Sequence, residues 1–259
     1  MNDIISPDGE LSRKLREGRT CVGIGVTYAD PLVSETVGDA LDFIWLDLEH
    51  VAMSFDAMNA HLLAARSRNI STVVRVADGH PAVLKPILDA GADGIILAQV
   101  ETVDEVRGLI DGCLYRPVGR RGMGPRVPMN YGRANLNDYL TIANTNMFVS
   151  VMIETAEAAA AIDQIVALNG LTSIVIGPFD LSGSLGLTGQ VEHPKVVETI
   201  DRVIAAARKA GVFVGCGMPA DPAFARRMID RGVNWLQLGS DFEYLRLGVD
   251  ETVRAVLTT

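Results

Sequence analysis

Residues 41–50, LDFIWLDLEH, form a greasy run that stops abruptly in three ionisable side chains, Asp47, Glu49 and His50. An apolar run of this length reads as a buried parallel strand. Burying unpaired charge costs several kcal/mol or more, so these groups belong at a wet mouth, with a metal, or with one another. A carboxylate that orients an imidazole and raises its basicity makes a general base, and Asp47 lies three residues before His50. Strict alternation puts Asp47 and Glu49 on one face and His50 on the other, so that pairing requires the strand to turn near Leu48. A lone histidine is more often a packing or capping residue. His61, His80 and His193 all fall within or at the starts of helix-like stretches.

Other apolar runs end in the same way. STVVRV carries Arg75, the run at 94–100 carries Gln99, FVSVMI leads into Glu154, and IVIGPF leads into Asp180. Carboxylates gathered at one place repel one another, and a divalent cation is the natural remedy. Two carboxylates without a Cys or His cluster favour a hard cation, Mg2+ or Mn2+, over structural zinc. The alternative is that Glu154 and Asp180 merely cap the helices that follow them. Arg75 would meet a developing oxyanion or form an ion pair with one of these acids. The turn GPFDLSGSLG, with Gly177, Pro178, Phe179 and Asp180, allows close backbone approach to an anionic ligand. GRRGMGP at 119–125 is a basic surface loop or, less simply, a phosphate nest.

The elements that must position these residues alternate strand-like and helix-like along the chain. The strand-like runs cover 20–28, 42–50, 71–78, 94–100, 147–154, 173–176, 212–217 and 235–239. Helix-like runs follow them at 31–40, 54–69, 80–90, 102–113, 156–168, 194–210, 222–231 and 241–257. Ser54 is a good N-cap and Gly91 a good C-terminal stop. Residues 115–146 form the longest non-apolar insertion, and 11–19 a short amphipathic helix suited to covering one barrel end. Eight such units predict a single (β/α)8 TIM barrel over residues 1–259, whose site lies at the C-terminal strand ends. An open doubly wound sheet is disfavoured, because GIGVTYADP is a poor match to a glycine-rich phosphate turn.

Composition agrees with an ordinary globular protein: 259 residues, 48% hydrophobic and 21% charged. A net charge of −9 without a basic run argues against nucleic acid and anionic membrane as partners. Cys21, Cys113 and Cys216 give neither a disulfide framework nor a CxxC pattern, which points to a reducing cytoplasm. The first eighteen residues lack a secretory apolar core, and no run reaches membrane-spanning length.

Taken in order, DFIWLDLEH, VVRV, ILDAGADGIILAQVET, YRPVGRRGMGP, VMIET and GPFDLSGSLG resemble the HpcH/HpaI aldolase family, metal-dependent pyruvate aldolases that share a barrel with citrate-lyase-type enzymes. The resemblance covers roughly residues 20–190. It implies that Glu154 and Asp180 bind the metal, Asp47 and His50 form the acid–base pair, and Arg75 steadies the keto oxygen. It also implies that amides around Phe179 and Asp180 hold the substrate carboxylate. A hexamer, a trimer of dimers, is implied too, with the last helix exchanged between subunits and Asp89, with Arg121 nearby, reaching a neighbour's site. The chain departs from the pattern at Met152, where relatives often have Gln, and at Cys21, where several have Trp at the end of the first strand. Both departures are expected to border the pocket and shift substrate preference.

The expected activity is reversible cleavage of a 4-hydroxy-2-oxo acid to pyruvate, or a close analogue, and an aldehyde, with Mg2+ or Mn2+, or else Co2+, as cofactor. A Schiff-base route is disfavoured, since Lys14, Lys85, Lys195 and Lys209 all lie in helix-like stretches. The rivals are a lyase acting on a malyl-CoA- or citryl-CoA-type thioester, for which only Arg116, Arg120, Arg121 and Arg126 offer a basic groove, and a non-catalytic metal- and ligand-binding barrel.

Overall fold

Each of the eight strand-like runs becomes a parallel strand in the computed structural model, which describes residues 9–258. They are β1 (Cys21–Val26), β2 (Phe43–Asp47), β3 (Ser71–Val76), β4 (Gly94–Leu97), β5 (Phe148–Ile153), β6 (Ser173–Ile176), β7 (Phe213–Met218) and β8 (Trp235–Ser240). They close in chain order into a barrel, β8 pairing with β1. Parallel neighbours need a crossover, and helices supply each one, making a (β/α)8 barrel.

Local chemistry sets the helix ends. Ser54 accepts the Ala57 N–H at 3.1 Å to start Phe55–Ser67. Gly91, at φ +95°, follows the end of Pro81–Asp89. The run at 156–168 is broken into Ala156–Ala160 and Ile162–Ile165. Two further helices appear inside stretches expected to be irregular: Leu136–Asn146 in the long insertion, and Pro178–Ser184 just after β6.

The core has two shells. One lies between strands and helices, and the other fills the barrel itself. At the floor, where strands begin, Phe43, Phe148 and Trp235 meet edge to face, and the indole N–H of Trp235 donates to Ser173 Oγ at 2.9 Å. Gly215 makes room, since a Cβ there would lie 2.2 Å from the indole. The helix Glu10–Arg16 closes this end, burying Leu11 and Leu15 in the same cluster, as the amphipathic opening predicts. Cys21 is buried here too, as the first residue of β1. It therefore cannot border the pocket, and the strand-end position assigned to it belongs to Gly25 and Val26.

At the opposite end Asp241 ties the last helix, Asp241–Leu257, to the loop after β1. Its carboxylate accepts the N–H groups of Thr27 and Tyr28 at 2.8 and 2.9 Å and the Thr27 hydroxyl at 2.6 Å. Beyond Asp241 this helix leaves an apolar stripe in the open, Phe242, Leu245, Val249, Val253 and Val256, the last 74% exposed.

Candidate active site

The C-terminal mouth of the barrel gathers most of the charged residues singled out by the sequence. Asp47 and Arg75 are register partners on β2 and β3. The guanidinium grips the carboxylate with two hydrogen bonds, Nε at 3.0 Å and Nη2 at 2.7 Å. Arg75 also lies over Trp45, 5.3 Å from its ring, and Nη1 sits 3.1 Å from Glu49 Oε2. The ion pair with the acids is thus formed, and it leaves Nη1 beside the cavity. Burial would push the Asp47 carboxyl up, but Arg75 and two backbone N–H groups outweigh it and hold it below its ordinary value.

Strand β2 ends at Asp47, and residues 48–50 bend. The N–H groups of Glu49 and His50 donate to Asp47 Oδ1 at 2.9 and 3.4 Å. The expected turn therefore forms, but it joins Asp47 to the backbone of His50 and not to its imidazole. The imidazole stands at the rim, 64% exposed, with Nε2 3.6 Å from Glu49 Oε2.

Glu154 is only 2% exposed and follows β5 directly. The helix after it is capped by Thr155, whose hydroxyl accepts the Ala158 N–H, so capping does not explain Glu154. Its Oε1 accepts the Gln99 N–H at 2.7 Å. Gln99 has φ +52°, a left-handed conformation costing a non-glycine residue about 1 kcal/mol or more. Oε2 faces the backbone of Gly177, where a Cβ would come within 2.8 Å. Burial pushes Glu154 up to about 7 despite the Gln99 N–H, and the charges of Glu49 and Asp180 add to the rise. Burial likewise raises Glu49, with Arg75 and His50 opposing and Asp47 and Asp180 reinforcing.

Asp180 lies in the first turn of Pro178–Ser184, whose N-cap Gly177 provides no side-chain cap. Leu181 makes the first intrahelical bond, to Gly177 O, so the amides of Phe179 and Asp180 precede it and face outward. Gly177, Pro178, Phe179 and Asp180 line a cavity of about 140 Å3 together with Asp47, Arg75, Met152, Gly25 and Gln237. Met152 occupies the middle of this wall, its sulfur 3.8 Å from Arg75 Nη1.

The donor set suits a hard divalent cation. Three mutually repelling carboxylates, Glu49, Glu154 and Asp180, meet at one mouth, and Glu49 Oε2 is buried with the Arg75 cation beside it but without a hydrogen bond. Among the described residues no three His, Cys, Asp or Glu side chains are grouped so that they could hold a metal ion, so a cation here would draw on two of these carboxylates, with water and substrate oxygens completing its shell. Glu49 was visible in the sequence as one of three strand-end charges, but only the turn at 48–50 aims it at the other two.

Asp89 and Arg121 are placed elsewhere. Asp89 ends the helix Pro81–Asp89, at the floor side of its own barrel, and accepts from Arg121 Nη2 at 2.8 Å. Arg121 is buried beneath Tyr115, 4.8 Å from its ring. The amides of Gly119, Arg120 and Arg121 donate to Tyr115, Asp111 and Leu114 carbonyls, so these three are taken and form no phosphate nest. With Arg121 committed to Asp89 and Arg120 3.3 Å from Asp111, half of the suggested basic groove is already paired.

Comparison with known proteins points the same way. The family model described as HpcH/HpaI aldolase/citrate lyase matches residues 28–246. A hydroxypyruvate/pyruvate aldolase of Roseovarius nubinhibens is 32% identical, over 96% of both chains. A 4-hydroxy-2-oxo-heptane-1,7-dioate aldolase of Salmonella paratyphi A is 31% identical, over 91% of this chain and 90% of that one. The crystal structure of an HpcH/HpaI aldolase from Desulfitobacterium hafniense superposes with a TM-score of 0.91 at 29% identity, covering 96% of this chain and 97% of that one.

Proposed function

The chain belongs to the HpcH/HpaI aldolase/citrate lyase family and is an aldolase, and we propose that it cleaves 4-hydroxy-2-oxo acids reversibly to pyruvate, or a close analogue, and an aldehyde, with a divalent cation held by Glu154 and Asp180. The observation that carries this assignment is the meeting of Glu49, Glu154 and Asp180 beside the Asp47–Arg75 pair at the C-terminal mouth. Bound there, Mg2+ or Mn2+ would supply Lewis-acid polarisation of the 2-oxo group.

The chain's own groups divide the remaining work. The outward amides of Phe179 and Asp180 hold the substrate carboxylate. Arg75, fixed by its two bonds to Asp47 and with Nη1 3.1 Å from Glu49 Oε2, lines the cavity and stabilises the oxygen on which negative charge collects as the carbon–carbon bond breaks. His50, at the rim beside Glu49, takes the proton from the 4-hydroxyl. Asp47 serves by locking Arg75 and the turn that carries His50. Met152 borders the oxo-acid site and tunes which substrates fit.

Two surfaces support the assembly we propose. Asp89 lies at the far end from its own mouth, so any part it plays with Arg121 in catalysis is played in a neighbour's site. The stripe on Asp241–Leu257 is a face for exchange between subunits, and a hexamer built as a trimer of dimers would cover it. The three cysteines are free and buried, in keeping with a cytoplasmic enzyme.

Deuterium exchange of the pyruvate methyl protons, followed by NMR, tests this directly. Exchange should require Mg2+ or Mn2+ and stop with excess chelator. Exchange that survives chelation would remove the metal from the mechanism, and its absence under all conditions would favour a thioester lyase or a non-catalytic barrel.

A further inference from the structure

The cavity has two unlike walls. One carries Asp47, Arg75 and Asp180, while the wall made by β1, β7 and β8 carries no charge and presents Gly25, Gly217, Gln237 and Ser240. Gln237 stands in register with Gly23 on one side and Gly217 on the other. Its amide occupies space that side chains on the neighbouring strands would otherwise fill. A Cβ on Gly25 would lie 3.1 Å from Gln237 Nε2 and 2.7 Å from Ser240 Oγ, and one on Gly217 would lie 3.2 Å from Gln237 Oε1.

The orientation of this amide is set by chemistry. Gln237 Nε2 lies 2.5 Å from the carbonyl oxygen of Gly239, and a carbonyl can only accept, so the NH2 end faces it. Oε1 is left as an acceptor without a donor among the described residues, on a half-buried side chain lining the cavity. The β1–β8 ladder slips by one residue at this point, pairing Gly23 with Gln237 but Gly25 with Ser240, and Gly239 takes φ +68° within the slip. Such a bulge re-aims the residue after it, here placing the Ser240 hydroxyl, like the amide, over Gly25.

A half-buried acceptor next to a hydroxyl, across a small cavity from the guanidinium that faces the oxo oxygen, recognises a ligand that carries both an oxo group and an alcohol. We propose that Gln237, seated over Gly25 and partnered by Ser240, is a specificity-determining residue that accepts a hydrogen bond from a C3 hydroxyl on the 2-oxo acid donor. The enzyme then favours a 3-hydroxy-2-oxo acid over its deoxy counterpart in the enolate-forming step. This deepens the aldolase assignment and rests on it.

The test compares C3 deuterium exchange of 3-hydroxypyruvate with that of pyruvate, on the same metal-loaded enzyme and without aldehyde. In Gln237→Leu, the ratio of kcat/KM for 3-hydroxypyruvate over pyruvate should fall about tenfold, the worth of one neutral hydrogen bond, whatever change both substrates share. Gly25→Ala, which forces Gln237 and Ser240 aside without altering either, should lower the same ratio and serves if the Leu variant does not fold. A ratio unchanged in the folded variants overturns the role of Gln237 while leaving the aldolase intact. Failure of the parent enzyme to exchange either substrate overturns the aldolase assignment and the role together.

Discussion

At the floor of the barrel Trp235 is packed edge-on against Phe43 and Phe148, with ring centroids 5.4 and 5.6 Å apart and its one polar atom bonded to Ser173. At the mouth, on continuations of the same strands, Glu49 keeps a buried oxygen without a hydrogen bond and Glu154 is pushed up to about 7. Both ends are drawn from inward-facing positions of the same staves. The floor spends that geometry on filled volume, and the mouth keeps charge that folding alone would select against. Natural sequences tolerate such local conflict where function needs it.

Substitution should separate the two ends. His50→Ala has the largest expected effect on turnover, a loss of about 10²- to 10⁴-fold in cleavage. Being exposed, it should leave the unfolding midpoint nearly unchanged, and a titration of metal affinity should show little loss. If metal binding falls together with turnover, His50 belongs to the cation's surroundings and not to proton transfer. At the floor, Trp235→Ala should cost about 3–5 kcal/mol in denaturant unfolding, through a cavity that its neighbours cannot close. A small cost there would abolish the contrast.

The third expectation concerns pH in metal-free protein. Glu154 binds its proton more tightly folded, near 7, than at its ordinary value of 4.5. Its contribution is fully present below pH 4.5 and lost as pH rises through 7, about 3 kcal/mol in all. Thermal unfolding in excess chelator should show this decline, and Glu154→Gln should flatten it. A flat profile in the parent protein would mean that the acids at the mouth are already relieved. The smallest effect is expected for Cys21→Ser, about 1 kcal/mol of stability for a buried hydroxyl, with no change in substrate preference. Met152→Gln should do the reverse, shifting KM for the oxo acid a few-fold at nearly constant stability.

The barrel was legible because its apolar runs are long and regularly interrupted. The helix Leu136–Asn146 was not, since it buries only Tyr139 and Ala143, too narrow a face to leave a period in LNDYLTIANTN. Charged residues at strand ends pointed to the mouth because burial makes such residues expensive anywhere else. What they grip was harder to read. Asp47 reaches His50 through its backbone because β2 ends at Asp47, a boundary that the run at 42–50 does not reveal. Cys21 was assigned to the wrong end of β1 for a similar reason, and Gly25 left no side chain to notice.

The three hydrogen bonds that the Asp241 carboxylate accepts from Thr27 and Tyr28 have a mechanical meaning for the proposed oligomer. They act as a rivet joining the first and last staves where the final helix departs. A helix pulled towards a neighbour would pivot beyond that rivet, so its load passes into β1 and β8 as a pair and spares the slip between them that aims Gln237 and Ser240. In the proposed assembly, subunits would then couple or part while each catalytic chamber keeps its shape.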